Sequence, residues 1–180
     1  MILTDRELQL ALKKGQITVT PSPDLECFTS TSLDLRLGDR LNIFKIASDD
    51  SIETVIDPTK NYNAERAIKQ LTDEVVIEDS GYVLHPRVFV LGRTKEVVSL
   101  PEEARIAARV EGRSSLARLG ILIHFTAPTI HSGFNNSIRL EIINLGVIPI
   151  RLRKGMRICQ LIFELTFGTP EKAFAPVQTL

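Results

Sequence analysis

The sequence contains no tryptophan, two cysteines and three histidines in 180 residues. Cys27 and Cys159 are far apart and in no spacing typical of metal ligands, so we expect two reduced, part-buried thiols rather than a disulfide. Long apolar runs are also missing, since none approaches the roughly 20 residues that span a bilayer. The first six residues lack the basic, apolar and small-residue succession of a signal peptide. We therefore expect a cytoplasmic protein that has no membrane as a partner.

Net charge is also lacking, because 22 Lys and Arg residues balance 22 Asp and Glu residues. This balance argues against a general nucleic-acid binder, and we expect no nucleic-acid polymer as a partner. The charge is uneven, however: residues 105–157 contain nine Lys and Arg residues against only Glu111 and Glu141, an excess of +7. Two interpretations are open. Solvated strand faces collect arginine by chance, or the segment forms a local site for a small polyanion such as a triphosphate.

The start of the chain has the signals of a short helix. Thr4 and Glu7 have the spacing of a capping box. Residues 8–14 have helical spacing, and Gly15 suits the position that follows a helix C-terminus. The chain is therefore predicted to open with one short helix.

Most of the remaining sequence has the pattern of short strands. Leu33, Leu35 and Leu37 alternate with polar residues, which indicates a half-buried strand. Residues 48–80 are polar and weakly patterned, so we expect a loop-rich excursion with one or two helical turns over 63–71. The other predicted strands are 16–20, 82–84, 88–91, 106–110, 121–123, 138–142, 148–152 and 158–163. Short strands punctuated by glycine and proline indicate an all-β sandwich or barrel. Without a linker or repeat, we expect a single domain over 1–180.

The most informative segment is 111–120. Ser114 or Ser115 suits a helix N-cap, the next four residues favour helix, and Gly120 can end it. Such a turn would present unpaired N–H groups and a positive dipole end beside two hydroxyls and two guanidinium groups. The segment is therefore either an anion-binding turn or a plain helical connection between two strands.

A second candidate lies on the predicted strand 138–142. Its three apolar residues share one face, so Arg139 and Glu141 share the other. A carboxylate in this position is a surface residue paired with a neighbour, unless the face lines a pocket. In a pocket, Glu141 becomes a candidate general base near cationic groups.

Taken together, these segments resemble the successive motifs of the dCTP deaminases and their dUTP-hydrolysing relatives. The matching segments are 1–5, 32–38, 112–120, 126–127, 133–134, 140–141 and 155–164. The Gly-Arg-Ser-Ser-Leu-Ala-Arg-Leu-Gly run at 112–120 is long enough to make a chance match improbable. The resemblance implies a mainly β, distorted barrel or jelly-roll-like (dUTPase-like) fold. It also implies a homotrimer with interfacial active sites, a nucleotide triphosphate that carries Mg²⁺ on its phosphates, and no zinc.

The resemblance also implies roles for individual residues. Glu141 would take a proton from the attacking water and pass it to the ring N3 and to the leaving ammonia. Ser114 and Arg118 would orient that water and stabilise the charge beside it. Arg113 and Ser115, together with Arg118, would hold phosphates, partly from a neighbouring subunit. The remaining implied substrate-binding residues are Leu116, Ala117, Ala127 (through its backbone), His131, Arg139, Leu140 and Gln160.

The reaction itself is less sharply specified. Neither His-x-Glu nor Pro-Cys-x-x-Cys occurs, which agrees with deamination without zinc. His131 stands where the family has an aspartate that contacts the deoxyribose and, in dUTP pyrophosphatases, activates water. Asn136 replaces a glycine, and residues 166–180 offer only Lys172 and Gln178 in place of a Tyr, Lys and Gln lid. The loss of the aspartate weakens the pyrophosphatase interpretation more than the deaminase one, so deamination of dCTP to dUTP comes first. A dUTP pyrophosphatase or bifunctional enzyme that gives dUMP comes second, and a catalytically impaired nucleotide-binding regulator third.

Overall fold

Helix α1 spans Asp5–Lys13 and confirms the helix predicted at the start of the chain. The computed structural model describes residues 1–45, 56–57, 59, 64–168 and 171. Leu8 and Ala11 bury one face of α1, and Gly15 follows the helix with a φ of 68°. The capping residues interact through their side chains, since the Thr4 hydroxyl bonds the Glu7 carboxylate rather than a backbone N–H. Among the described helices, none is both long and apolar enough to cross a membrane.

Strands account for most of the remaining described chain. In chain order the elements are β1 (Thr18–Thr20), β2 (Leu33–Phe44), α2 (Ala64–Leu71), β3 (Thr72–Val76), β4 (Tyr82–Leu84), β5 (Phe89–Ser99), β6 (Ile106–Gly112), α3 (Ser114–Ala117), β7 (Ile121–Ile123), β8 (Thr129–Ile130), β9 (Asn135–Asn144), β10 (Ile150–Leu152) and β11 (Arg157–Leu165). Short 3₁₀ turns lie at Leu25–Cys27 and Glu102–Ala104.

Nine of these strands form one antiparallel sheet. Its order is β7-β9-β5-β2-β11-β6-β8, with β1 paired to β5 and β3 paired to β2, while β4 and β10 form a separate pair. The β2–β5 register shifts between Leu37 and Leu41, and the β5–β9 register shifts between Arg93 and Val97. Because such irregularities bend and twist the strands, the sheet curls. The predicted mainly β, barrel-like fold with a short N-terminal helix is confirmed.

The core forms where alternating strand residues meet. Leu33, Leu35 and Leu37 on β2 are fully buried, as their spacing predicts. Asp34 between them is also buried, although a half-buried strand would expose it. Its carboxylate lies 3.2 Å from Arg113 Nη2 and 3.6 Å from Arg157 Nη1. Ion pairs with neighbouring strands therefore cover this face of β2 in place of solvent.

Several element bounds differ from the sequence prediction. Strands β5 and β9 extend well beyond 88–91 and 138–142, and β1 begins at Thr18 rather than at residue 16. Helix α2 confirms the helical turns expected within 63–71, but β3 in the same segment was not predicted. Only Thr72 of β3 is fully buried, so the hydrophobic pattern carries no strand signal there. Of the loop-rich excursion expected over 48–80, residues 48–55, 58 and 60–63 lie outside the described residues.

The turn between α3 and β7 is packed tightly against the turn that follows β9. Arg113, rather than Ser114 or Ser115, occupies the N-cap of α3. Gly120 has a φ of 89°, and a Cβ there would overlap the backbone of Gly146. The buried Asn144 side chain holds the opposing turn, because it accepts from the Gly146 N–H at 2.9 Å and donates to two backbone carbonyls. This contact fixes where α3 leaves the sheet.

We expect Gly120→Ala to destabilise the protein far more than Gly15→Ala. Both glycines have positive φ, but a Cβ at Gly15 meets no atom within 4 Å. Gly15→Ala therefore adds only backbone strain, about 1 kcal/mol, whereas Gly120→Ala adds strain plus a backbone clash, about 3–5 kcal/mol. Urea unfolding at matched protein concentration measures the difference. Equal losses in the two variants would show that the packing of this turn does not constrain α3.

Candidate active site

Strand β9 presents Arg139 and Glu141 on the face opposite the core. Ile138, Leu140 and Ile142 are buried, while the two charged residues between them are half-buried, as the alternation predicts. Because the Leu140 side chain is fully buried in the core, it can contact a ligand only through its backbone. The face that carries Glu141 is therefore the one available for chemistry.

His124 links Glu141 to the segment that follows β7. His124 Nδ1 lies 2.8 Å from Glu141 Oε2, and His124 Nε2 lies 2.5 Å from the Ala127 carbonyl oxygen. The backbone joins the same residues, since the His124 N–H donates to the Glu141 carbonyl at 2.8 Å. Phe125 packs on Phe89 with a ring separation of 5.5 Å, which holds this segment against the sheet. Glu141, His124 and the backbone of Ala127 thus form one group.

The two ring nitrogens of His124 face two acceptors, a carboxylate and a carbonyl. Only the doubly protonated imidazolium can donate to both. The hydrogen bond to Glu141 raises the pKa of His124 above its ordinary value of 6.5 despite burial, and the Ala127 carbonyl and Glu111 act in the same direction. Nδ1 and Glu141 Oε2 are within ion-pair distance, although the direction of approach departs from that of a linear hydrogen bond.

The carboxyl of Glu141 responds in the opposite direction. Burial favours its neutral form, but the hydrogen bond and charge of His124 outweigh burial and lower its pKa below the ordinary 4.5. Glu141 is therefore ionised at neutral pH, as a proton acceptor must be. Its half-buried position keeps it reachable from the surface of β9.

A second group of predicted residues lies around the end of β6. Arg113 contacts the buried Asp34, whose pKa is raised by burial, although Arg113 and Arg157 oppose the shift. Gln160 accepts from the Ser32 hydroxyl at 3.1 Å, and its amide nitrogen lies 3.5 Å from the Gly112 carbonyl. These contacts orient the backbone from which α3 begins.

Helix α3 carries the other predicted site residues. Ser114, Ser115, Ala117 and Arg118 are exposed, whereas Leu116 is partly buried against the core. Within the described residues, no hydrogen bond or ion pair joins Ser114 or Arg118 to Glu141. The described contacts of one chain therefore do not join the predicted catalytic residues directly.

His131 lies beyond the opposite end of β9 from Glu141. Strand β9 begins at Asn135 opposite Ser99, and Glu141 lies opposite Leu91. Six residues of strand separate Asn135 from Glu141, about 20 Å along the strand. The neighbouring Ser132 hydroxyl donates to the Ile106 carbonyl at 2.9 Å, which fixes this turn against β6. His131 and Glu141 of one chain are thus separated.

The basic excess over 105–157 does not form one patch. Five of its cations pair with acids of this chain, and these are Arg109, Arg113, Arg139, Lys154 and Arg157. Arg105, Arg151 and Arg153 donate to backbone carbonyls. Arg118 forms no such contact within the described part of the chain. Much of the excess is therefore neutralised locally.

The sequence did not indicate the acidic partners of these arginines. Asp34 alternates with leucines like an ordinary polar strand residue, and Glu65 lies on α2 in a weakly patterned segment. Neither spacing nor composition brings them to the site, because both contacts depend on tertiary structure. Among the described residues, no group of three or more His, Cys, Asp or Glu side chains could hold a metal ion.

Comparison with known proteins gives one consistent family. The model of the family described as dCTP deaminase-like matches residues 2–166. A dUMP-forming dCTP deaminase of Methanosphaera stadtmanae is 40% identical, over 96% of this chain and 83% of that protein. A dCTP deaminase of Rhodospirillum rubrum is 36% identical, over 99% and 90%.

Solved structures agree on the fold. The 2′-deoxycytidine 5′-triphosphate deaminase of Agrobacterium tumefaciens superposes with a TM-score of 0.69 at 22% identity, over 91% of this chain and 48% of that one. A mutant dUTPase from phage phi11 of S. aureus superposes with a TM-score of 0.52 at 12% identity, over 90% and 98%. At these identities the likeness concerns the fold alone.

We expect His124 to titrate above pH 6.5 in the native protein and near or below that value in Glu141→Gln. The ion pair stabilises the protein fully below the unfolded pKa of histidine, and that stability is lost as pH rises through the raised pKa of His124. At low pH it is lost as pH falls through the lowered pKa of Glu141. Imidazole proton chemical shifts followed by NMR measure the titration in both proteins. An unchanged His124 pKa in the variant would contradict the pairing.

Proposed function

This chain belongs to the dCTP deaminase-like family of enzymes, and we propose that it hydrolyses dCTP to dUTP and ammonia. The observation that supports this reaction most directly is the ionised, half-buried carboxylate of Glu141 beside the backbone of Ala127. Such a carboxylate can accept a proton from water next to a bound pyrimidine. The family consists of enzymes, which argues against the third alternative, a nucleotide-binding regulator that lacks turnover.

In the proposed mechanism, Glu141 performs every proton transfer. Glu141 takes a proton from water as the water oxygen attacks C4 of the cytosine, and it delivers that proton to N3. The second proton of the attacking water then moves through Glu141 to the 4-amino group. The C4–N bond breaks, ammonia leaves, and the C4 carbonyl of uracil forms. His124 keeps the carboxylate in place through these steps, and the Ala127 backbone contacts the base or the water.

Ser114 and Arg118 complete the site from a neighbouring subunit of a homotrimer. Their exposure on α3, and the lack of a direct contact with Glu141 among the described residues of one chain, support an interfacial arrangement. Strand β7 is an edge of the sheet, and exposed apolar residues surround it. These residues are Leu119, Leu122, Phe125, Leu145, Val147 and Ile148. A second subunit would cover this surface and bring the arginine and the serine to the catalytic carboxylate.

The phosphates of the nucleotide would be held by Arg113, Ser115 and Arg118. Arg113 is already anchored by Asp34, so its guanidinium is preorganised at the start of α3. Mg²⁺ would bind through the phosphates of the nucleotide. Gln160 would support the nucleotide from β11, where it contacts Ser32 and the Gly112 carbonyl. The mechanism requires no zinc.

A second candidate product is dUMP. The relatives from Methanosphaera stadtmanae and Methanobrevibacter smithii are dUMP-forming dCTP deaminases, at 40% and 38% identity. Release of pyrophosphate needs a second activated water near the phosphates. The exposed His131, in place of an aspartate, lacks the negative charge and the two acceptor oxygens of the carboxylate that would activate this water, which favours dUTP as the product.

We expect Glu141→Gln to bind dCTP with little change and to lose turnover by at least about 10²–10⁴-fold, since general acid–base catalysis contributes that much. Ammonia release measures turnover, and isothermal titration measures binding. Glu103→Gln, an exposed acid on the turn Glu102–Ala104, is the matched control and should keep full activity. Near-normal ammonia release by Glu141→Gln would contradict the mechanism.

Mixing two inactive variants tests the interfacial site. Arg118→Ala and Glu141→Gln, dissociated and reassembled together at equal concentration, should regain activity, because about a quarter of the interfaces then contain both native residues. Light scattering verifies the mixed trimers. Verified mixed trimers without activity, or an active monomer, would show that one chain builds the site alone.

A further inference from the structure

Two arginines lie directly opposite each other on the face that carries Glu141. Arg93 on β5 pairs with Arg139 on β9, two residues along the strand from Glu141. Like charges in directly opposite positions of an antiparallel pair destabilise it unless an anion lies between them. The pair therefore requires a counter-charge on this face.

Glu65 of α2 supplies that counter-charge incompletely. Both of its carboxylate oxygens lie 2.9 Å from Arg139 Nη2, while Arg93 Nη2 lies 3.9 Å from Oε1. Arg139 Nη1 is buried and has no hydrogen-bond partner among the residues that the structure describes. Burial and the nearby Arg139 lower the pKa of Arg93, which as an arginine keeps its charge. Two guanidinium groups and one carboxylate leave a net charge of +1 and one unused buried donor.

A cleft opens beside this group. It has a volume of about 690 Å³, a size typical of small-ligand sites, and it follows the irregular stretches of β2 and β5. Arg93 lies at its wall together with Lys95 and Ser137. Lys95 is exposed and forms no hydrogen bond or ion pair within the described residues. Four cationic side chains line the cleft against two carboxylates, those of Asp39 and Glu74, so a ligand there would meet a net positive charge.

The separation from Glu141 is that expected within one nucleotide. Two residues along a strand correspond to about 7 Å. A ligand whose base lies at Glu141 could therefore place a phosphate group near Arg139. The placement of a nucleotide phosphate near Arg139 rests on the proposed function. The net positive charge of the two arginines and Glu65, and the unused donor at Arg139 Nη1, do not depend on it.

We propose that Arg93 and Arg139 form a second anion site, which binds a phosphate group beside Glu141, and that Glu65 is the internal carboxylate that this phosphate displaces. A phosphate has more charge and more acceptor oxygens than the carboxylate, and it can bind both guanidinium groups through pairs of hydrogen bonds. The phosphate comes either from the nucleotide itself or from a free phosphate or pyrophosphate.

Pyrophosphate titration by calorimetry tests the site. The titrations use the Arg118→Ala background, which removes a phosphate contact of α3. Arg93→Gln and Arg139→Gln should each weaken binding about 10-fold or more, the loss expected for a hydrogen bond to a charged group. Glu65→Gln should tighten binding, because it removes the competing carboxylate. Lys69→Gln on the same helix and Glu103→Gln control for net charge and should change nothing.

The outcome that overturns the proposal is unchanged affinity in the two arginine variants, or weaker affinity in Glu65→Gln. If Arg139→Gln fails to fold, Arg139→Lys replaces it. This variant keeps the charge but not the planar guanidinium, and it should bind pyrophosphate with intermediate affinity.

Kinetics in the otherwise native protein identify the source of the phosphate. Competition between pyrophosphate and dCTP, with a raised KM in the arginine variants, assigns the site to the nucleotide. Non-competitive binding with an unchanged KM assigns it to free phosphate. Absence of ammonia release would contradict the proposed function but not the anion site, because the pyrophosphate titration does not require turnover.

Discussion

A carboxylate half-buried on a strand needs a partner, and His124 is the partner around which this site is organised. Its ring spans two acceptors, Glu141 Oε2 and the Ala127 carbonyl, so the imidazolium form satisfies both. The same contact joins two parts of the chain that diverge after β7. It therefore fixes the orientation of the proton acceptor and the position of the backbone that is expected to contact the pyrimidine. Without it, burial alone would favour the neutral, inactive carboxyl.

The remaining proposed machinery lies outside this group, and the fold explains why. Helix α3 leaves the sheet at a turn locked by Gly120 and the buried Asn144, which keeps Ser114 and Arg118 exposed. Arg113 is anchored to Asp34 rather than directed at Glu141. The edge strand β7 and its apolar neighbours leave a surface suited to a second copy of the chain. These constraints support the proposed site shared between subunits.

Local sequence patterns predicted the fold and the faces of individual strands. The alternation around Glu141 gave the correct face, and the segment 112–120 gave the turn that contains α3. The sequence could not show contacts between residues that are distant along the chain, such as Asp34 with Arg113 or Glu65 with Arg139. It also overstated the basic stretch as one polyanion site, because acids distant in sequence neutralise most of those cations. The extension of β5 and β9 depends on pairing with each other rather than on their own hydrophobic pattern.

The product of dCTP turnover tests the central claim most directly. The purified chain is incubated with dCTP and magnesium, ammonia is measured enzymatically, and nucleotides and pyrophosphate are separated by chromatography. We expect ammonia and dUTP in equal amounts, with no pyrophosphate. Ammonia with dUMP and pyrophosphate would correct the product while keeping Glu141 as the proton shuttle. Consumption of dCTP without ammonia, or no consumption at all, would contradict the account.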